Sequence, residues 1–161
     1  MAYAIKCTVL PGRGKGVRRV NRLDEKLRQK LGAAPYPGTL NLVAREPVRF
    51  ARNKDSKYRI GRKYLYPAEI RGTKVWVYRW KNAPYHVFEI MSEHKLRDKL
   101  KLADHAECEL VVRDDDILSL NFLQRLFWNF FWKNREGDFY SDSRRARLGK
   151  KIQKVVDLLE D

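Results

Sequence analysis

Two side chains in the segment Pro35-Tyr-Pro-Gly-Thr-Leu-Asn-Leu42 have the types and spacing to hold a metal ion against phosphate. Residues two apart on a strand share a face, so Thr39 and Asn41 would present a hydroxyl and an amide oxygen side by side. Hard neutral oxygens suit Mg²⁺, which keeps several waters and takes its other ligands from phosphates. On spacing alone, a turn whose Thr and Asn serve backbone hydrogen bonds is the simpler account. Upstream lies Gly12-Arg-Gly-Lys-Gly16, behind a strand-like run. Glycines let backbone amides approach an anion closely, and Arg13, Lys15, Arg18 and Arg19 would add charge. The pattern is neither a Walker loop nor a dinucleotide fingerprint, and a tight basic turn would look the same. Downstream, Glu93-His-Lys-Leu-Arg-Asp98 offers a helix start beside cations. Lys95 and Arg97 could grip a phosphate or a nucleobase, or simply line a surface helix. His86, His94 and His105 share no zinc spacing, and no Ser-His-Asp or Cys-His constellation is evident.

The elements that must carry these residues follow from periodicity. Residues 3–10 read as a strand closed by Pro11-Gly12. Leu23, Leu27 and Leu31 predict a helix over 22–32, with Gly32 at its stop. The turn 35–38 feeds a strand over 39–44. Residues 45–74 read as basic and irregular, with short strand-like pieces. Strands are expected at 75–80, 85–91 and 108–113, with one or two helical turns at 93–100 that place Leu96 and Leu100 on one side. Many short strands with few helices suggest a small β-barrel. At Asp114-Asp-Asp116 the character changes: three acids suit a helix N-terminus. A helix over 117–133 would be apolar nearly all round, and so buried in this protein, in a dimer or at a membrane interface. A last helix over about 143–159 would carry Ile152, Val155, Val156 and Leu159 on one face.

The chain has 161 residues, 43% hydrophobic and 34% charged, as in a folded globular protein. No run approaches the roughly 20 apolar residues of a membrane span, and no signal-peptide h-region is apparent. Cys7 and Cys108 lie far apart in apolar runs and read as small buried hydrophobes. We therefore expect a cytoplasmic protein. The net charge is +15, and all of the excess falls in residues 1–113. Such a surface attracts nucleotides, nucleic acid or anionic lipid, or serves solubility alone.

Together, three blocks resemble the archaeal-type CTP-dependent riboflavin kinases, in that family's order over about residues 3–113. They are Pro11-Gly-Arg-Gly-Lys-Gly16, Leu31-Gly-Ala-Ala-Pro-Tyr-Pro-Gly-Thr-Leu-Asn-Leu42, and Glu89-Ile-Met-Ser-Glu-His-Lys-Leu-Arg-Asp-Lys-Leu-Lys-Leu102. The resemblance implies a mainly β fold, a six-stranded cradle-loop-type β-barrel with short helices in residues 1–113. Residues 114–161 would be a C-terminal α-helical extension, packed on the barrel or at an interface. It implies transfer of the γ-phosphate of CTP to a primary hydroxyl, riboflavin giving FMN, with Mg²⁺ as cofactor. By position, Thr39 and Asn41 match the metal ligands. Gly12, Arg13, Gly14, Lys15, Gly16, Val17 and Arg18 match one nucleotide-binding segment, and Lys95, Leu96, Arg97 and Asp98 the other. Glu89 matches an acceptor-contacting acid that orients or deprotonates the hydroxyl, and Tyr85 falls near that acceptor pocket.

The chain departs from the family in places. Asp104-His-Ala-Glu107 stands where an Asp-Gly-Asp turn is usual, and Ser92-Glu93 where Ala-Pro is usual. Residues 45–82 are unusually basic and aromatic, and 114–161 have no counterpart in the minimal domain. Two other readings stay open. One is a CTP-dependent kinase acting on another acceptor, a sugar, a saccharide or a lipid-linked headgroup, with residues 117–133 on an anionic membrane surface or a homodimer seam. The other is a nucleic-acid-binding barrel using 45–82 as a single-strand groove.

Overall fold

The computed structural model describes residues 1–12, 14–52 and 59–159, without the side chains of residues 19 and 22–24. In chain order the elements are β1 (Ala2–Leu10), α1 (Lys15–Leu31), β2 (Leu40–Ala44), β3 (Arg49–Phe50), β4 (Arg59–Ile60), β5 (Lys63–Ile70), β6 (Thr73–Trp80) and β7 (Val87–Met91). They continue with α2 (Leu96–Lys99), β8 (Glu107–Arg113), β9 (Ile117–Leu118), α3 (Phe122–Phe131) and α4 (Arg144–Leu158). Strands pair in the order β5-β6-β7-β2-β1-β8, and β8 pairs back onto β5 through Ala68 and Val112. The result is the expected closed six-stranded antiparallel barrel, and closure leaves its strands no free edges. Alternate residues point inward: Ile5, Cys7 and Val9 of β1, Val75 and Val77 of β6, and Phe88 and Ile90 of β7 fill the interior. Arg71 (φ 48°) and Gly72 (φ 73°) supply the two left-handed positions that a two-residue β5–β6 hairpin requires.

Several boundaries differ from the sequence reading, each for a local reason. The stretch 63–70 is a full strand, with Leu65, Ala68 and Ile70 buried in it. Pro67 masks that alternation and sits between the β4 and β8 pairings, where β5 has only β6 as partner. Helix α1 begins seven residues earlier than its leucine spacing suggests. Gly14 turns the chain in at φ 69°, and Val20 joins Leu27 on the buried face against Leu65, Tyr78 and Met91. Leu23 lies outside the described side chains. At the far end Gly32 (φ 74°) donates its N–H to the Arg28 carbonyl at 2.9 Å, the expected stop. Cys7 is buried, faces Cys108 across the β1–β8 ladder, and both thiols are free.

The C-terminal segment differs more. Asp114–Asp116 form a 3₁₀ turn rather than a helix start, and β9 then pairs with β3. Helix α3 starts only at Phe122, where Asn121 and Gln124 form a reciprocal capping box. It buries Gln124, Phe127 and Trp128 but leaves Phe122, Leu123, Leu126 and Phe130 exposed, so it is not apolar-packed all round. Helix α4 buries Ala146, Gly149, Gln153, Val156 and Asp157, while Val155 and Leu159 face solvent, against expectation. The polar pair is buried because it finds partners: Gln153 donates to Asp157 within the helix at 2.9 Å, and from the barrel side Arg52 pairs with the same carboxylate at 3.2 Å. Among the described residues no helix is long and apolar enough to cross a membrane.

His86 sits in the seam between barrel and C-terminal segment. It is fully buried, 5.1 Å from the Trp132 ring, and within 3.2 Å of the Glu136 carbonyl. Burial pushes its pKa down to about 3; the Glu136 carbonyl opposes the shift and Arg79 adds to it. Above pH 6.5 neither state binds this proton. Between 6.5 and 3 only the unfolded chain does, so stability falls as pH drops, by about 2 kcal/mol at pH 5. Urea unfolding should show that loss between pH 7.5 and 5, and His86→Gln should flatten it. Equal slopes in both proteins would refute the assignment.

Candidate active site

The site assembles where β1, α1, β2 and β7 meet. Strand β1 ends at Leu10, the chain passes Pro11 and Gly12, and Gly14 swings it into α1. The N-cap is a glycine with no side-chain cap, so the first amides of α1 are left for another acceptor. A helix start of this kind favours an anion. The same turn lies hard against Thr39. A Cβ on Gly16 would come within 2.5 Å of the Thr39 Oγ1 and 3.0 Å of its backbone nitrogen. One on Gly12 would meet the Asn41 Nδ2 at 3.3 Å. These two glycines are there for close approach. Asn41 stands opposite Glu89 in the β2–β7 register, so the amide and carboxylate share a face, and both are nearly buried.

Helix α2 braces the loop from behind. Arg97 donates to the Leu10 carbonyl at 2.9 Å and pairs with Asp104 at 2.6 Å, while Leu96 is anchored in the core. A cavity of about 320 Å³ opens over this arrangement, lined by Lys15, Gly16, Thr39, Asn41, Glu89 and Arg97. Across it stand Trp80, Phe139, Tyr140 and Lys150. A second cavity of about 220 Å³ shares Thr39 and Arg97 and runs on to Tyr36, His94 and Lys95. A larger cavity, about 640 Å³, lies elsewhere, beside Met1, Leu31, Trp76 and Val112, and holds none of the expected site residues.

Comparison with known proteins matches residues 9–112 to the family model of the CTP-dependent riboflavin kinases, described as "Domain of unknown function DUF120". The chain belongs to this family. A riboflavin kinase of Staphylothermus marinus is 29% identical over 126 residues, 72% of this chain and 96% of that protein. One of Methanocella arvoryzae is 32% identical over 124 residues, 69% of this chain and 58% of its own length. One of Sulfolobus acidocaldarius is 31% identical over 127 residues and is covered over 80% of its length. As a member of this kinase family the chain is a phosphotransferase with an alcohol group as acceptor.

Within this riboflavin-kinase-family barrel, the structure gathers most of the residues that the sequence singled out. Gly12, Gly14, Lys15, Gly16, Val17, Thr39, Asn41, Glu89 and Arg97 line the first cavity, and Lys95 and Leu96 line the second. Three others are not brought there. Arg18 is exposed on α1 and lines neither cavity, because the early helix start turns it outward. Asp98 is taken up by Lys95 at 2.9 Å, and this hydrogen bond and charge raise the Lys95 pKa. Tyr85 is core: it packs with Trp128 and Trp132 and donates to Asp157 at 3.5 Å. Arg13 lies outside the described residues. Conversely, Phe139, Tyr140 and Lys150 were not singled out: Phe139 and Tyr140 sit in a polar stretch with no periodicity, and Lys150 is one of several basic residues of the last helix.

Thr39 and Asn41 fit Mg²⁺. The glycine contacts form a cradle that any Cβ would fill, and two neutral oxygen donors leave room for phosphate ligands. No cluster of three His, Cys, Asp or Glu suited to a metal occurs among the described residues, and a metal held here would take its other ligands from water and phosphate. Gly16→Ala should therefore drive α1 off Thr39. Nucleotide-dependent thermal stabilisation with Mg²⁺ should weaken by at least about tenfold in apparent affinity, a change of about 1.4 kcal/mol. A variant that binds nucleotide like the wild type would contradict the close-approach role.

Proposed function

We propose that this protein is a CTP-dependent riboflavin kinase: it moves the γ-phosphate of CTP to the primary hydroxyl of riboflavin, giving FMN and CDP. The observation that carries the reading is one juxtaposition. Thr39, under the uncapped start of α1, and Asn41, in register with Glu89, share a single cavity. The triphosphate would lie on the α1 amides and Lys15, with the base in the adjoining cavity near His94 and Lys95. Thr39 and Asn41 would hold Mg²⁺, whose charge offsets that of the phosphates. Glu89 would accept a hydrogen bond from the acceptor hydroxyl and take its proton as the new O–P bond forms. The bond from the γ-phosphorus to the β-phosphate oxygen breaks, and CDP leaves. Such chemistry depends mostly on positioning and charge neutralisation, which is what a rigid barrel rim supplies.

A second reading keeps the donor and changes the acceptor. It is favoured by the exposed row Phe122, Leu123, Leu126 and Phe130 on α3, which a membrane-linked acceptor or a second copy of the chain would cover. Incubation with riboflavin, Mg²⁺ and each of the four nucleoside triphosphates separates the readings. FMN should form, and with CTP in preference. Thr39→Ala and Asn41→Ala should each lower kcat/KM by about a hundredfold, and Glu89→Gln should lower kcat while CTP still stabilises the fold. Absence of FMN with CTP and Mg²⁺ would discard riboflavin as acceptor.

A further inference from the structure

The family match ends at residue 112, yet the site cavity has walls beyond it. The 3₁₀ turn Glu136–Tyr140 and the first half of α4 reach back over the barrel mouth and deliver Phe139, Tyr140 and Lys150 into the cavity that Thr39, Asn41 and Glu89 line. These side chains form one connected group. Phe139 lies 6.3 Å from the Trp80 ring, at a 39° tilt, and 5.1 Å from Tyr140, edge-on at 89°. The Lys150 ammonium stands 4.5 Å from the centre of the Phe139 ring, within cation–π range. All four are only half-buried. The cavity is thus polarised. One half is glycine, amide nitrogen and small oxygen donors; the other is aromatic, with a cation at its rim.

We propose that residues 136–150 form the acceptor-binding wall of this enzyme, specific for a flat heteroaromatic ring carrying a hydroxylated side chain. The proposal rests on the phosphotransferase reading above and deepens it. Phe139, Tyr140 and Trp80 supply an apolar aromatic floor on which such a ring lies, gaining area and favourable offset contacts. Lys150 holds a positive charge beside that floor, within the cavity where the phosphomonoester is formed, and contacts it. The family region then supplies the donor half, and the C-terminal segment supplies the half that chooses what is phosphorylated. Tyr85, which sequence position suggested for this task, is occupied in the core instead.

The test compares steady-state kinetics with riboflavin against stabilisation by CTP and Mg²⁺ in the full chain. Phe139→Leu keeps apolar volume but removes the ring, and Lys150→Met keeps the stem but removes the charge. Each should raise the riboflavin KM by about tenfold or more, whereas CTP-induced stabilisation stays as in the wild type. Phe139→Tyr and Lys150→Arg should restore most of the loss. A riboflavin KM within about twofold of wild type in both variants would overturn the wall. So would loss of CTP stabilisation in step with KM, which would mark the side chains as structural. A wild-type protein that makes no FMN is a different result: it removes riboflavin as acceptor, and the flavin-type wall with it.

Discussion

The approach of the α1 start to β2 is the constraint on which the site depends. Without side chains at Gly12 and Gly16 the loop can lie directly on Asn41 and Thr39, and nothing larger fits. That contact puts a helix N-terminus and two oxygen donors at one place. Alone, a helix N-terminus attracts phosphate weakly, and a pair of neutral oxygens holds a hard cation weakly. Held together on a closed barrel, they would need little reorganisation to receive a triphosphate. Arg97 completes the arrangement by taking the Leu10 carbonyl, so the loop is tied at its strand end as well as pressed at its helix end.

The barrel then decides what stands beside this contact. Because β2 pairs with β7, Asn41 and Glu89 face each other across one ladder step. Because β7 pairs with β6, Tyr78 and Glu89 are likewise opposite, and Trp80 lies two residues further along β6. The relative placement of Asn41, Glu89 and Trp80 is therefore set by register. A one-residue slip of β7 would send Glu89 to the other face, so the ladder protects the chemistry as much as the core. Arg79 shows the cost of burying other groups nearby. It is fully buried, donates to the carbonyls of Ala83, Pro84 and Val87, and packs over Phe50 and Phe88; burial still lowers its pKa to about 10.

The residues proposed for the donor half stand out in the sequence because their signals are local. Glycines at fixed spacing, Thr39 and Asn41 two apart, and a Leu-Arg helix start need no tertiary knowledge to be noticed. Their order along the chain supplied the rest. The proposed acceptor wall does not stand out, since its members come from β6, a 3₁₀ turn and α4, separated by up to 70 residues from Trp80 to Lys150. Tyr85 illustrates the failure: its position near Glu89 in sequence suggested the site, but the turn before β7 points it into the seam with α3 and α4. Helix α4 was misread for a related reason. Its periodic apolar residues suggested one face, while the face used is set by Asp157 and Gln153, whose value lies in partners on the barrel side that periodicity does not show.

The C-terminal segment can serve a site only if it is held as firmly as the strands, and its anchors meet that demand. At one end the His86 ring reaches the Glu136 carbonyl, the first residue of the turn that presents Phe139 and Tyr140. In the middle, α4 passes Trp132 at Gly149, where an added Cβ would meet the indole at 2.6 Å. A glycine inside a helix costs about 1 kcal/mol against alanine. Here it sets the depth and rotation of α4, and Lys150 is the next residue. At the far end Asp157 ties the helix to Arg52 and Tyr85. Three contacts thus fix the turn, the helix rotation and the helix end. The same packing that buries Trp132 aims Lys150 at Phe139, so the extension's stability and its place at the cavity are one geometry rather than two.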